Sequence, residues 1–213
     1  MPAGLQLERE IFEHILDAIV EGRLPPRTKL AEESLAEIFD VTRARVRKVL
    51  LLLAQRGVVR LEPNRGAFVA EPSPAEAAAL FEARRIIESQ TIVKVAGLDA
   101  RARALAVARL DAHLDDEAAA RAAGEQGRII RLAGEFHRLV AELAGNQVLA
   151  GIIDDLVWRT AVALAAHAQR HDENCPPGEH DAIVQAIRTG DPLTAARRMV
   201  EHLHHVAGTR RGS

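Results

Sequence analysis

The sequence predicts a mainly α-helical protein, in which an N-terminal winged helix-turn-helix with a small β wing precedes an all-α antiparallel helical bundle. Apolar residues recur at three- and four-residue steps near the N-terminus. Two short apolar runs flank a turn rich in proline, asparagine and glycine, and glycines and prolines divide the remainder into helix-length segments. With 213 residues, 48% of them hydrophobic, the chain is long enough for one or two domains with their own cores.

The first elements predict the helix-turn-helix. The apolar face of a helix over residues 5–20 consists of Leu7, Ile11, Ile15, Ala18 and Ile19. A short helix is expected over residues 32–39. After a turn at residues 40–41, a second helix begins at Thr42, a favourable N-cap, and ends at Gln55 before Gly57.

Two short strands then predict a wing. They cover residues 58–61 and 67–69, and the turn between them contains proline, asparagine and glycine. The segment Glu71-Pro72-Ser73-Pro74 is the clearest break in the chain. We therefore predict an N-terminal domain over residues 1–70, a linker over 71–74 and a helical domain over 75–213.

The helical domain is predicted from its breaks. The expected helices lie near residues 75–96, 99–123, 126–144, 146–171, 179–189 and 192–207. A glycine or proline lies at almost every boundary, and the connections are short. Six such helices indicate an antiparallel bundle.

Positive charge is concentrated in the predicted winged helix, although the net charge of the chain is −2. Seven basic residues and one acidic residue lie between positions 43 and 65. A local basic patch of this kind is typical of a surface that meets nucleic-acid phosphates. We therefore predict that the domain over residues 1–70 binds double-stranded DNA.

The start of the second helix supplies the predicted DNA contacts. Arg43 and Arg47 lie one turn apart on one face, whereas Arg45 points roughly 200° away around the helix. We expect Arg43 and Arg47 to contact base edges or adjacent phosphates, because the guanidinium fork matches guanine O6 and N7. Arg45 and Thr42 are expected on phosphates. The alternative interpretation of these arginines is a helix face that is exposed to solvent and does not contact DNA.

Other classes of protein find little support. The single cysteine, Cys175, cannot form an intramolecular disulfide, and the N-terminal stretch lacks the pattern of a signal peptide. The longest apolar run, residues 49–54, is far shorter than a membrane span. We expect a cytoplasmic protein with no membrane partner.

Several motifs resemble those of GntR-family transcription regulators of the FadR subfamily. In residues 7–70 they are Leu30-Ala31-Glu32-Glu33-Ser34-Leu35-Ala36, Val41-Thr42-Arg43-Ala44-Arg45-Val46-Arg47, Gly57-Val58-Val59 and Arg65-Gly66-Ala67-Phe68-Val69. The rest of the chain resembles the all-helical FCD effector domain through Arg84-Arg85-Ile86-Ile87-Glu88, Phe136-His137, Gly145-Asn146, Glu179-His180 and His202-Leu203.

The resemblance implies a homodimeric bacterial transcription regulator, in most cases a repressor. Such a protein binds a pseudo-palindromic operator and responds to a small-molecule effector, often a carboxylic acid. The DNA-contacting positions of the family correspond here to Thr42, Arg43, Arg45 and Arg47 on the recognition helix and to Arg65 and Gly66 at the wing tip. Many members have Arg in place of Glu33 and Pro or Thr in place of Arg45, so the operator sequence does not carry over.

The resemblance also implies a metal site in the helical domain. Many FCD domains hold a divalent metal at the positions of His137, His180 and His202, which lie on three different predicted helices. Three imidazoles suit zinc or nickel. The family's fourth ligand, an aspartate, is replaced by Ala133, which leaves Asp154 or Asp155 as alternatives. The other interpretation is a pocket of buried, hydrogen-bonded histidines without a metal.

Arg84 is the predicted effector-binding residue. It shares a helix face with Glu88, and an arginine that faces a cavity can hold a carboxylate by two hydrogen bonds. The alternative is a structural ion pair between Arg84 and Glu88. Trp158 and Arg159 are further candidates for the cavity wall, with core packing the alternative for Trp158.

Two other functions are compatible with parts of the sequence. Three histidines with an open coordination position suit a metal-dependent hydrolase, but no HExxH spacing or general base accompanies them, and we predict that the protein is not an enzyme. An effector-independent architectural DNA-binding protein would use only the winged helix.

Overall fold

The N-terminal half contains three helices and a small sheet. The computed structural model describes residues 3–167 and 176–208. The elements are α1 (Ala3–Val20), β1 (Lys29–Leu30), α2 (Glu32–Ile38), α3 (Arg43–Gln55), β2 (Val59–Glu62) and β3 (Gly66–Val69). The sheet is antiparallel in the order β1-β3-β2, with Val59 opposite Val69 and Glu62 opposite Gly66. The predicted winged helix-turn-helix is confirmed, and β1 is an addition that two residues of sequence could not reveal.

One core orients the helices of this half. Its buried side chains include Ile11, Ile15 and Ile19 of α1, and Val46, Val49, Leu50 and Leu53 of α3. The four α3 positions follow a helical spacing, so they occupy a single face. Packing of that face against α1 and the sheet leaves the opposite face of α3 exposed.

The C-terminal half is the expected bundle. Its helices in the described residues are α4 (Pro74–Ala96), α5 (Ala100–Ala123), α6 (Gln126–Leu143), α7 (Gln147–His167), α8 (Glu179–Arg188) and α9 (Pro192–Val206). Their boundaries agree with the predictions to within one residue, except at the end of α7. The predicted continuation of that helix to residue 171 lies outside the described residues.

Local capping explains several of these boundaries. Ser73 and Glu76 form a reciprocal capping box at the start of α4, and Asp99 and Asp191 cap α5 and α9 with their side chains. Gly124 ends α5 in the left-handed conformation. The main core of the bundle lies inside these helices, around side chains such as Phe136, Ile92, Leu110, Ile183 and Met199.

The two halves are in contact through α6 and α7. Val162 of α7 belongs to the core of the N-terminal half, and Ile130 and Trp158 pack against that core. Arg56, which caps the C-terminal end of α3, forms ion pairs with Asp154 and Asp155 of α7. The C-terminal end of α3 is therefore in direct contact with the bundle.

Among the helices that the structure describes, none is long and apolar enough to cross a membrane.

Candidate DNA-binding surface and histidine-lined cavity

The first turn of α3 presents polar side chains to solvent. Thr42 is the N-cap, and its hydroxyl accepts a hydrogen bond from the backbone N–H of Arg45 at 3.4 Å. Thr42, Arg43 and Arg47 are exposed, and Arg45 is partly exposed. The N-terminal end of a helix also attracts phosphate through its unpaired N–H groups and its dipole. This turn is thus well suited to a nucleic-acid surface.

The three predicted arginines differ in their present partners. Arg47 donates two hydrogen bonds to Glu32 of α2, from Nε at 2.9 Å and from Nη2 at 2.7 Å. The guanidinium groups of Arg43 and Arg45 form no ion pair or hydrogen bond within the described residues. Within the described residues, the guanidinium groups of Arg43 and Arg45 are therefore available for further contacts, whereas that of Arg47 is held by Glu32.

The wing tip has the geometry of a tight turn. Asn64 and Gly66 both have positive φ, of 60° and 102°, and Gly66 is exposed. Residues with a Cβ rarely adopt the Gly66 conformation. Arg65 projects next to it, pairs with Glu62 and lies over the ring of Phe68, with its guanidinium carbon 5.4 Å from the ring centroid.

The structure brings the three predicted histidines together. His137 lies on α6, His180 on α8 and His202 on α9, and all three are buried. The Nε2 atom of His202 is 3.2 Å from Nε2 of His137 and 3.3 Å from Nε2 of His180. One ligand nitrogen from each ring lies within 4.8 Å of the others. Residues as far as 65 positions apart in the chain thus meet at a single point.

A carboxylate lies behind each imidazole. The Nδ1 atoms of His137, His180 and His202 lie 2.5 Å from Glu88, 2.9 Å from Glu117 and 2.8 Å from Glu179, respectively. An ionised carboxylate only accepts hydrogen bonds, so in a neutral imidazole the proton resides on Nδ1 and the lone pair on Nε2. The contacts between Nε2 atoms are then contacts between lone pairs, and a shared cation would resolve their repulsion.

Burial and neighbouring charges set the protonation of these groups. Burial lowers the pKa of His137 to about 3 and that of His202 to about 4, against the opposing effect of their carboxylate partners. Burial alone would raise the pKa of Glu88, but the charge of Arg84 and the hydrogen bonds from Arg84 and His137 outweigh it and hold the pKa at about 2. Because His137 is neutral at pH 7, Arg84 supplies the charge that keeps Glu88 ionised. Neutral imidazoles are the form that binds metals.

Arg84 connects the histidine cluster to the cavity. Its Nε donates to Glu88 at 2.6 Å and its Nη1 donates to Thr160 at 2.9 Å. Its Nη2 is buried and has no hydrogen-bond partner among the residues that the structure describes. The ion pair given as the alternative is present, and Arg84 also lines the cavity, so its role in effector binding stays a prediction.

The cavity has a volume of about 120 Å³ and lies beside the histidines. Ala133 is part of the wall, and the polar residues of the lining are Arg84, Arg121, Gln126, His137, Thr160 and His202. The apolar lining includes Val20, Ile129, Ile130, Trp158 and Leu164. Trp158 thus lines the cavity while packing against the N-terminal core, whereas Arg159 is not among the lining residues.

The structure corrects the predicted fourth metal ligand and adds two carboxylates that the sequence did not predict. Asp154 and Asp155 are not a fourth ligand, because both carboxylates pair with Arg56 on the side of α7 that faces the N-terminal half. The roles of Glu117 and Glu179 behind the imidazoles were not anticipated. Only the adjacency of Glu179 to His180 was visible in the sequence, and Glu117 belongs to a helix with no predicted site residue.

A winged helix with an exposed basic recognition helix, joined to a bundle that encloses a polar-ended cavity, defines a ligand-responsive DNA-binding transcription regulator. Residues 7–69 match the family described as bacterial regulatory proteins, gntR family, and residues 79–205 match the FCD domain family. The chain belongs to the GntR regulators that carry an FCD domain. These are non-enzymatic proteins that bind operator DNA and small-molecule effectors, so the hydrolase alternative is not supported.

Individual relatives agree with this assignment. The chain is 24% identical over 210 residues to the HTH-type transcriptional repressor RspR of Escherichia coli K12, covering 94% of this chain and 87% of that protein. It is 28% identical to the HTH-type transcriptional repressor NanR of Klebsiella aerogenes, covering 88% of this chain and 76% of that protein.

Solved structures show the same fold. A GntR regulator from Rhodococcus sp. RHA1 superimposes with a TM-score of 0.76 at 23% identity, covering 94% of this chain and 95% of its own. Escherichia coli McbR/YncC superimposes with a TM-score of 0.75 at 18% identity, covering 96% of this chain and 94% of its own.

Proposed function

We propose that the protein is a homodimeric repressor that a small carboxylate releases from its operator. Residues 1–70 would bind the DNA, residues 71–74 would link the domains, and residues 75–213 would bind the effector and the second chain. The observation that carries the proposal is the cluster of three buried imidazoles and the unsatisfied Arg84 donor, in a domain attached to a basic winged helix. The naming of two relatives as repressors supports the sign of regulation.

The DNA contacts are assigned by exposure and pairing. Arg43 would contact base edges, and Arg47 would join it after Glu32 releases its guanidinium group. Thr42, Arg45 and Arg65 would bind phosphates, with Gly66 at the minor groove. Two recognition helices about one DNA turn apart would match a pseudo-palindromic operator. Loss of Arg43 or Arg47 is expected to reduce operator discrimination by about 1–3 kcal/mol per residue.

Dimer formation has its own support. Ile86 of α4 and Val148 and Ile152 of α7 are exposed, with 62%, 72% and 41% of their surface accessible, and α4 packs against α7. Apolar side chains exposed on adjoining helices are typical of surfaces that bind another protein chain. Light scattering of the purified protein tests this part of the proposal, since a mass near 23.2 kDa would contradict it.

His137, His180 and His202 would hold the metal, with zinc or nickel as the expected ion. Zinc–nitrogen bonds of 2.0–2.1 Å at tetrahedral angles separate the ligand nitrogens by about 3.3–3.4 Å. Two of the Nε2 separations, 3.2 and 3.3 Å, are close to this distance. The carboxylates on Nδ1 have the arrangement that orients metal-bound histidines. When bound, the metal would supply a Lewis-acidic position for a ligand oxygen.

The effector carboxylate would interact with the Arg84 side of the cavity. Both N–H groups on Nη2 of Arg84 lack a partner there among the described residues, and a buried donor without a partner costs about 1–3 kcal/mol. Ala133 supplies no polar group at the position of the family aspartate, so a ligand oxygen would be the remaining anionic partner. An anionic oxygen of the effector would accept a hydrogen bond from Arg84 and would also take the place of the missing carboxylate.

The first experiment measures the metal content of tag-free protein by elemental mass spectrometry. We expect about one zinc or nickel ion per chain. His137→Ala should lose it, while His14→Ala, which removes an exposed histidine of α1, should retain it. Absence of metal from the wild type after growth with added zinc and nickel would contradict the metal assignment.

A second experiment tests the regulator itself. A duplex recovered by selection from random-sequence DNA should bind the wild type in a gel-shift assay, and Arg43→Ala and Arg47→Ala should bind it more weakly. Normal binding by both variants would refute the assignment of the recognition helix.

A further inference from the structure

The sheet of the wing has one buried face and one exposed face. Ala67 and Val69 of β3 are buried in the core of the N-terminal half, to which α3 also contributes. Phe68 lies between them in the strand, so its side chain points to the opposite face, and it is only partly buried. This second face is therefore directed away from the core and from the recognition helix that packs on it.

Two cations flank Phe68 on the exposed face. Lys29 of β1 and Arg60 of β2 are each paired directly opposite Phe68, and directly opposed residues of antiparallel strands share a face. Because β3 lies between the two outer strands, the backbones of Lys29 and Arg60 are about 10 Å apart, which is twice the spacing of neighbouring strands. Both residues are exposed.

One carboxylate serves two arginines on the same face. Glu62 accepts a hydrogen bond from Nη2 of Arg60 at 2.8 Å and another from Arg65. The side chains of these arginines remain 67% and 70% exposed, so neither is withdrawn from solvent. We call this surface the outer wing face, and it consists of Lys29, Arg60, Glu62, Arg65 and Phe68. Three cations and one carboxylate leave it with an excess of positive charge.

Lys29 brings its charge close to the wing tip. Its Cε atom lies 3.7 Å from the position that a Cβ on Gly66 would occupy. Within the described residues, the ammonium group of Lys29 forms no ion pair or hydrogen bond, so an anion can bind it without displacing an acidic partner. The outer wing face is thus continuous with the tip at Gly66.

We propose that the outer wing face is a second DNA-binding surface, at which Lys29 and Arg60 bind phosphates beside the groove that the wing tip enters, on the side away from the recognition helix. This inference rests on the proposed function, because it takes the wing tip as a DNA contact. It adds contacts outside the base pairs that α3 reads. Cations on phosphates contribute affinity that falls with salt, and they carry no sequence information directly.

The charge contacts are tested by a salt titration with the duplex recovered by selection. Lys29→Gln combined with Arg60→Gln removes two charges and keeps long polar side chains at exposed strand positions. The slope of log affinity against log salt should fall by about 1.8, because each phosphate contact on B-DNA contributes about 0.9. Lys94→Gln combined with Arg101→Gln removes the same two residue types from exposed positions of the bundle and should leave the slope unchanged. An unchanged slope in the wing variant would overturn the proposal.

The position of the contacts is tested by duplex length. The selected duplex is shortened at both ends until the wild type loses about fivefold in affinity, as expected when flanking phosphates contribute to binding. The variant with both wing glutamines should lose less than twofold from the same shortening, since it no longer uses those phosphates. It should also keep the wild-type ratio of affinities for the selected and unrelated duplexes. Equal losses on shortening, or a changed ratio, would overturn the proposal.

A charge-retaining variant guards against a folding defect. Lys29→Arg combined with Arg60→Lys should keep the wild-type salt slope, and a reduced slope in this variant would overturn the proposal. Circular dichroism should give unfolding temperatures within about 2 °C of the wild type for both wing variants, because surface substitutions change stability little.

The proposed function and this inference fail separately. If Arg43→Ala weakens binding while the variant with both wing glutamines keeps its salt slope and its dependence on duplex length, the inference fails and the proposed function stands. Failure of the wild type to bind any selected duplex would instead remove the proposed function.

Discussion

The ion pair between Arg84 and Glu88 gives the sharpest test of the packing around the site. Arg84→Met keeps an unbranched side chain of similar reach but removes the charge. Glu88 is only 1% exposed, and it would lose a bond of 2.6 Å to the group that keeps it ionised. Removing one partner of a buried pair typically costs 3–5 kcal/mol, because the other charge remains buried without compensation. We therefore expect a loss of about 3–5 kcal/mol in the free energy of unfolding.

The assay is urea unfolding of metal-free protein followed by circular dichroism, with thermal unfolding in parallel. For a chain of this size each kcal/mol lowers the midpoint temperature by about 2–4 °C, so a decrease of about 6–20 °C is expected. Arg9→Met is the matched control, because Arg9 and Glu13 have the same spacing on an exposed face of α1, with 67% and 35% of their side chains accessible. That variant should lose less than about 0.5 kcal/mol.

A double variant separates the buried charge from other effects of the substitution. Arg84→Met combined with Glu88→Gln leaves no uncompensated charge and should recover most of the stability lost by Arg84→Met alone. If Arg84→Met unfolds within about 1 kcal/mol of the wild type, Glu88 does not depend on Arg84, and our explanation of its low pKa is wrong.

Three further predictions concern the DNA surface and the helix packing. Arg45→Ala should lower the slope of log affinity against log salt by about 0.9 for each phosphate that the side chain no longer neutralises, and an unchanged slope in a salt titration would contradict the phosphate assignment. Glu32→Gln should raise the affinity for unrelated duplexes by about two- to fivefold, because Arg47 no longer has an acidic partner; weaker binding by fluorescence anisotropy would argue against this. Gly134→Ala should destabilise the fold by about 1–3 kcal/mol, since an added Cβ would lie 2.7 Å from a valine methyl of α7. The control Gly151→Ala, where the added Cβ meets nothing within 4 Å, should be neutral or stabilising, and equal destabilisation of both variants would refute the packing argument.

The order and the boundaries of the helices could be predicted because local interactions determine them. Thr42 caps α3 through its own hydroxyl, and the spacing of Val46, Val49 and Leu53 specifies the buried face within a few turns. Glycine at the end of α5 and proline at the start of α9 act on their immediate neighbours. Such signals remain in the sequence whatever the rest of the chain does.

Local interactions determined the positions of the predicted site residues only in part. The resemblance supplied His137, His180 and His202, but their convergence depends on the packing of three helices, and the Nδ1 partners of His137 and His180 come from positions on two further helices. Strand β1 was not predicted, because its two residues acquire their role only by pairing with β3.

By itself, the sequence determined a winged helix followed by a helical bundle, and it determined which residue types are available for DNA and for a metal. The tertiary structure alone decided that Arg47 is held by Glu32, that Nη2 of Arg84 has no partner within the described part of the chain, and that Asp154 binds Arg56 rather than a metal. The physical reason is distance along the chain. Helix periodicity and capping act over about four residues or fewer, whereas the pairing of Asp154 with Arg56 joins positions 98 residues apart and exists only once both domains have packed.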